Sequence, residues 1–242
     1  MKNFHKLIII LFFCTTPLSL FADNKTPNKL AASNAQSLAK KGCTNAAYNL
    51  GVHYFYGTGV IQDYNQSFKY FKLAADAGNT DAQFNLGELY YLGLGTTKNL
   101  KESAVITKIL ADKNDVDGLV HLATLYKKGI AGYPKDINKA IEYLILASNK
   151  HHAIADYNLG KLYEEGSGVK QDYAEAAKFY RLASDKNHSK AQKKLAKLYL
   201  KGFGVKEDKK ESEKLFKLSN LNKQKDPEKL IRGLSKTADN CW

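Results

Sequence analysis

The sequence predicts an all-α protein: a right-handed α/α superhelical solenoid of five helix-pair repeats, with a capping helix at each end. Three observations lead to this prediction. A tyrosine recurs at intervals of 36, 36, 37 and 36 residues, the length of a two-helix unit. Within each interval, small and bulky residues fall four positions apart, which is the spacing of one helix face. The chain also has only 4 Pro among 242 residues, a composition that favours helices.

Several columns of similar residues define the first helix of each repeat. Each recurring tyrosine has a small residue eight positions before it, a leucine four before it and a glycine three after it. In the first unit these are Ala46, Leu50, Tyr54 and Gly57. The glycine predicts the end of the helix, because glycine adopts the left-handed conformation that terminates helices. The five repeats accordingly span residues 46–81, 82–117, 118–154, 155–190 and 191–222.

An acid or an amide precedes each second helix and predicts its first turn. The five N-cap residues are Asp63, Asn99, Asp136, Asp172 and Asp208. In four units a Glu or Gln follows three positions later, which is the spacing of a capping box. Lys139 departs from this pattern in the third unit, which also carries the one-residue insertion.

The two ends of the chain predict a targeting segment and two caps. Residues 1–22 join a basic start to an apolar run, as a secretory signal peptide does. We therefore expect cleavage near Ala22 and a periplasmic or secreted protein. Residues 23–45 predict an N-terminal capping helix, and residues 223–242 a C-terminal capping helix and tail. The apolar residues expected to cover the last repeat are Leu230, Ile231 and Leu234.

The repeat resembles that of the Sel1-like family, which is related to the tetratricopeptide repeats. The family pattern A-x-x-N-L-G-x-x-Y-x-x-G-x-G-V-x-x-D is matched almost fully by residues 46–63 and 155–172, and less fully by the other units. The resemblance covers residues 38–221. It implies a monomeric scaffold that is not an enzyme, needs no cofactor and binds a protein or peptide partner, often in envelope processes or host interaction.

First helices line the concave surface of such a solenoid, which is the expected binding surface. The residue before each helix leucine is usually an amide, which can bond a peptide backbone, and the residue before that is often aromatic. The candidate partner-binding residues are Tyr48, Asn49, Phe84, Asn85, His121, Tyr157, Asn158 and Lys194. The alternative is that these asparagines bond neighbouring repeats, and both roles stay open.

Two other functions stay open as alternatives. Ser37 and Lys40 have the S-x-x-K spacing of penicillin-recognising enzymes, which suggests a weak β-lactamase-like or cell-wall hydrolase activity, although the companion motifs are absent. Residues 186–242 carry 16 Lys and Arg against 7 Asp and Glu, which suggests a membrane-surface adaptor that contacts anionic lipid. Export argues against a nucleic-acid partner. The histidines lack metal-ligand spacing, and we expect no small-molecule substrate.

Two cysteines, Cys43 and Cys241, remain after the predicted cleavage and lie near opposite ends of the chain. Export would place them in a compartment that permits disulfides. In a rigid open solenoid their Cα atoms would lie beyond the ~7 Å that a disulfide can bridge. A tail that runs back along the superhelix would bring them together, so their pairing stays open.

Overall fold

The computed structural model describes residues 25–225 and 232–233. Within this part the chain forms α-helices and no strand. The helices are α1 (Lys25–Lys40), α2 (Thr44–Tyr56), α3 (Tyr64–Asp76), α4 (Thr80–Leu92), α5 (Leu100–Asp112), α6 (Val116–Lys128), α7 (Ile137–Asn149), α8 (Ala153–Glu165), α9 (Tyr173–Asp185), α10 (Ser189–Lys201) and α11 (Lys209–Lys225). None of these helices is long and apolar enough to cross a membrane.

The first helix of each repeat ends at a glycine in the left-handed conformation, as predicted. These C-caps are Gly57, Gly93, Gly129, Gly166 and Gly202, with φ between 65° and 75°. In the first repeat the N–H of Gly57 donates to the carbonyl of His53 and closes the last turn. The helix stops are therefore set locally, by the residue that follows each helix.

The second helices begin at the predicted N-caps, but the capping box is only half formed. The Asp63 carboxylate accepts the backbone N–H groups of Asn65 and Gln66, at 2.8 and 3.1 Å. The N–H of Asp63 donates to the carbonyl of Tyr54 at 3.0 Å, and the other four caps bond the equivalent tyrosine in the same way. The cap N–H therefore ties the second helix to the first, which the capping-box interpretation did not anticipate.

The second glycine of the loop is needed for packing between repeats. A Cβ built on Gly95 would lie 1.9 Å from the carbonyl oxygen of Tyr64, the first residue of α3 in the preceding repeat. A Cβ on Gly204 would lie 2.1 Å from the carbonyl carbon of Tyr173 at the start of α9. Only glycine fits at these two positions, so the loops join consecutive repeats.

The core runs through the stacked helix pairs, and each helix packs against the next along the chain from α1 to α11. The small residue and the leucine of each first helix are buried, as Ala82 and Leu86 are in α4. In repeats 1, 3 and 4 the recurring tyrosine packs on an aromatic residue of the second helix, and the ring centroids of Tyr54 and Tyr70 are 5.7 Å apart. The protein is therefore the all-α repeat solenoid that the sequence predicts.

Candidate functional site

A short piece of the C-terminal tail lies against the first helices of repeats 1 to 3. The backbone of Arg232 pairs with the side-chain amide of Asn85 in α4, which is fully buried. The Arg232 N–H donates to Asn85 Oδ1 at 2.8 Å, and Asn85 Nδ2 donates to the Arg232 carbonyl at 3.1 Å. One amide side chain thereby satisfies both backbone groups of one tail residue, as a neighbouring strand would.

Tyr48 of α2 extends these contacts to the next peptide unit. Its hydroxyl lies 3.0 Å from the carbonyl oxygen of Arg232 and 2.5 Å from that of Gly233, so its proton is shared between them. Burial and the Asp81 carboxylate disfavour the phenolate, so the pKa of Tyr48 lies above its ordinary value. The hydroxyl therefore remains a donor across the physiological pH range.

The side chain of Arg232 enters an acidic pocket, which we define as Asp81, Asp115, Asp117 and the ring of Phe84. Arg232 Nη1 donates to Asp81 at 2.9 Å, and Nη2 donates to Asp115 and Asp117 at 2.6 Å each. The Nε donates to Asp117 at 3.1 Å, and the guanidinium carbon lies 4.4 Å from the centroid of Phe84. All three guanidinium nitrogens are therefore bonded to carboxylates above an aromatic face.

Helix N-termini position the carboxylates of the acidic pocket. Asp115 is the N-cap of α6, and the oxygen that binds Arg232 also accepts the N–H of Gly118 at 3.0 Å. Asp81 and Asp117 lie in the first turns of α4 and α6, where the helix dipole favours negative charge. Asp117 also bonds Nε2 of His152 at 3.1 Å, which ties the pocket to the N-cap of α8.

The charges of the pocket shift the pKa values of its members. Burial would raise the pKa of Asp117, but the hydrogen bond to His152 and the charge and hydrogen bonds of Arg232 outweigh it and lower that pKa to about 2. Burial would lower the pKa of Arg232, but the bond to Asp115 and the charges of Asp117 and Asp115 raise it. Both groups are therefore held in their charged forms.

The lowered pKa of Asp117 predicts that the protein loses stability in acid. A carboxylate with a lowered folded-state pKa contributes stability above its unfolded value of 3.8, and loses that contribution as the pH falls through about 2. At neutral pH we expect Asp117→Asn to lower the free energy of unfolding by about 2 kcal/mol. The difference between the two proteins should shrink below pH ~4 and vanish near pH ~2, as measured by urea denaturation. A difference that stays constant with pH would contradict this assignment.

The candidate residues predicted from the sequence fall into four groups. Tyr48, Phe84 and Asn85 contact the tail. His121 lies behind the pocket, with its ring 5.3 Å from that of Phe84 and its Nδ1 3.0 Å from Glu88.

Asn49 and Asn158 are half-buried on α2 and α8, and their predicted role stays open. The remaining two residues make contacts inside the solenoid. Tyr157 packs on Tyr180 and His188, and Lys194 bonds Glu164 of the preceding repeat at 2.8 Å.

Sequence reasoning missed the acidic pocket and its occupant. Two signals were present in the sequence. Asp81, Asp115 and Asp117 all fall in the turn that begins a first helix, and Arg232 is one of only two arginines among 37 basic residues. Neither signal indicates a contact between residues 115 to 151 positions apart.

The cysteines, the Ser37–Lys40 pair and the apolar residues of the predicted C-terminal cap were also singled out in the sequence. Cys43 is buried at the start of α2 and is disulfide-bonded. Cys241, Leu230, Ile231 and Leu234 lie outside the described residues, so the pairing of Cys43 with Cys241 and the apolar cover of the last repeat stay predictions. Ser37 and Lys40 are exposed on α1. No cluster of potential metal ligands occurs among the residues described.

Comparison with known proteins identifies the family. A sequence model of the Sel1 repeat matches residues 44–79, 80–106, 116–152, 153–188 and 189–220. The chain belongs to the Sel1 repeat family. A Sel1 repeat protein from Oxalobacter formigenes has a similar structure, with 29% identity and a TM-score of 0.70 over 79% of this chain and 84% of that one.

Two further solved structures are similar. One is c5321, a protective antigen present in uropathogenic Escherichia coli strains, with 33% identity and a TM-score of 0.65 over 76% of this chain. This chain spans 39% of that protein's length. The immunity protein Pa5087 of Pseudomonas aeruginosa shares the fold, with 18% identity and a TM-score of 0.56 over 83% of this chain and 84% of that one. No curated protein sequence matches the chain.

The Sel1 repeat fold is typical of scaffolds for protein–protein interaction. Members of the family generally bind protein partners and are generally not enzymes.

Proposed function

We propose that this Sel1 repeat protein is an exported scaffold that holds an extended segment of a partner protein on α2, α4 and α6. The observation that carries the proposal is the pairing of Asn85 with both backbone groups of Arg232. Asn85 and Tyr48 bond only the backbone N–H and carbonyl groups of the tail, which are present in peptides of any sequence. A surface that bonds a backbone in this way suits a segment of another protein as well as it suits the tail.

The proposed location is the periplasm or the cell exterior. The signal-like residues 1–22 support export, and a disulfide at Cys43 fits an oxidising compartment. The similarity to an antigen of uropathogenic Escherichia coli supports a role in the envelope or in contact with a host.

Two features favour a scaffold over the alternatives. Ser37 and Lys40 lie exposed on α1, whereas an activated serine requires a site that shields and orients it. The basic residues of α10 and α11 are partly paired with acids, as Lys194 is with Glu164 and Lys214 with Glu211 at 3.2 Å. A solvated face of this kind needs no lipid to neutralise it.

The test is an array of nine-residue peptides of varied sequence, probed with the oxidised chain. The receptor carries Arg232→Ala, which weakens the hold of the tail on the surface. We expect a subset of the peptides to bind, and we expect the further change Asn85→Ala to weaken their binding tenfold or more. Each lost backbone hydrogen bond is worth about 1 kcal/mol, and Asn85 makes two.

The control for the array experiment is Asn149→Ala, which removes an exposed asparagine at the end of α7. This variant should bind the same peptides with unchanged affinity. The absence of any peptide binding to a folded receptor, with folding checked by circular dichroism, would overturn the proposed function. Binding that is insensitive to Asn85→Ala would also overturn it.

A further inference from the structure

The acidic pocket binds a side chain, whereas Asn85 and Tyr48 bind backbone groups. Its three carboxylates come from two consecutive first helices and meet the three guanidinium nitrogens of Arg232 at 2.6 to 3.1 Å. The Arg232 side chain is only 19% exposed. The pocket therefore encloses the charged head of the side chain and leaves no guanidinium nitrogen without an acceptor.

The chemistry of the pocket selects arginine over lysine. A guanidinium is planar and presents its donors in a fixed fork, so that Nε and Nη2 both reach Asp117 while Nη1 reaches Asp81. The guanidinium carbon also lies over the Phe84 ring, at 4.4 Å from its centroid. A lysine ammonium has one nitrogen, whereas this pocket bonds three, with Nη1 on Asp81, Nη2 on Asp115 and Nε on Asp117.

The charge of the pocket requires a cationic occupant. Without the guanidinium, the three carboxylates would lose the cation that bonds all of them. Like charges that lie close together repel one another and destabilise the ionised forms. An incoming arginine relieves this repulsion, so the pocket favours exchange of one arginine for another over remaining empty.

The position after the arginine is permissive. Among the described residues, a Cβ built on Gly233 would meet nothing within 4 Å, and the carbonyl group of Gly233 lies against Tyr48. A Cβ can therefore follow the arginine. The recognised pattern is an arginine whose next residue need not be glycine.

We propose that the acidic pocket recognises an arginine in an extended segment of the partner protein, and that Arg232 occupies the pocket until such a segment displaces it. This inference rests on the proposed function and names the partner chemistry of the same site. Because the tail is part of the chain, its effective concentration at the pocket is on the order of 1 mM. A free peptide must compete with it, so the intact chain binds a partner arginine more weakly than a chain without Arg232.

The probes are synthetic peptides that copy residues 228–236, Glu-Lys-Leu-Ile-Arg-Gly-Leu-Ser-Lys. Three versions carry Arg, Lys or Ala at the fifth position, and a fourth has Ala in place of Gly. Titrated against the oxidised Arg232→Ala chain, the Arg peptide should bind at least tenfold more tightly than the Lys peptide and the Ala peptide more weakly still. The Gly-to-Ala peptide should match the Arg peptide. The unmodified chain should bind the Arg peptide at least tenfold more weakly than the variant does.

A second receptor, with Asp117→Asn added to Arg232→Ala, should lose the preference for arginine and keep residual binding through Asn85. If the alanine variant folds poorly, Arg232→Lys serves as the receptor. Equal binding of the Arg and Ala peptides would overturn the arginine proposal and leave the proposed function standing. If none of the four peptides binds any folded receptor, both the arginine proposal and the proposed function are overturned. If the intact chain and the Arg232→Ala variant bind the Arg peptide with equal affinity, the proposal that Arg232 occupies the pocket is overturned.

Discussion

Replacing Arg232 with alanine is expected to lower the free energy of unfolding by about 3 kcal/mol. The change removes the bonds to three carboxylates and leaves Asp115 and Asp117, which are only 15% and 28% exposed, without their cation. This loss of stability lies at the lower end of the range for breaking a buried ion pair, because Asp81 is 48% exposed and water reaches part of the site. Urea denaturation at neutral pH measures the change in the free energy of unfolding.

The matched control is Arg181→Ala, which removes the only other arginine of the chain. Arg181 bonds Glu211 at 3.4 Å and is 38% exposed, so its loss should cost about 1 kcal/mol or less. The stability loss of Arg232→Lys should fall between those of the two alanine variants, because lysine keeps the positive charge but lacks the planar set of donors of the guanidinium. Equal losses for Arg232→Ala and Arg181→Ala would show that the acidic pocket contributes no special stabilisation.

The second large effect is expected at the cysteines. If Cys43 pairs with Cys241, the disulfide closes a loop that contains the whole repeat array, and its loss should cost about 4 kcal/mol. Cys43→Ser, Cys241→Ser and the double variant should then all lose the same amount, because each breaks the same bond once. Denaturation of the three variants under oxidising conditions measures this.

The control for the cysteine series is the unmodified chain after reduction, which should unfold at the same denaturant concentration as the variants. A destabilised Cys43→Ser beside an unchanged Cys241→Ser would assign the partner of Cys43 elsewhere. Cys43 is the residue before α2, the helix that carries Tyr48. A disulfide to Cys241 would therefore anchor the end of the tail beside α2, one of the helices that the Arg232–Gly233 segment contacts.

The sequence alone determined the repeat, because the repeat is built from short-range interactions. A glycine that ends a helix, an aspartate that caps one and a leucine four residues from a tyrosine act on neighbours within a few positions. A period of 36 or 37 residues makes these local signals visible five times. The helix bounds and the all-α solenoid followed from them.

Only the tertiary structure decided which members of one sequence column bind a peptide backbone. Asn85 and Lys194 hold the same repeat position, yet Asn85 bonds Arg232 and Lys194 bonds Glu164 of the neighbouring repeat. The contact of the acidic pocket with Arg232 likewise joins residues separated by more than a hundred positions, which periodicity does not relate. A pocket of this kind exists only after the helices have stacked and the tail has returned across them, because its carboxylates attract the guanidinium through space and not along the chain.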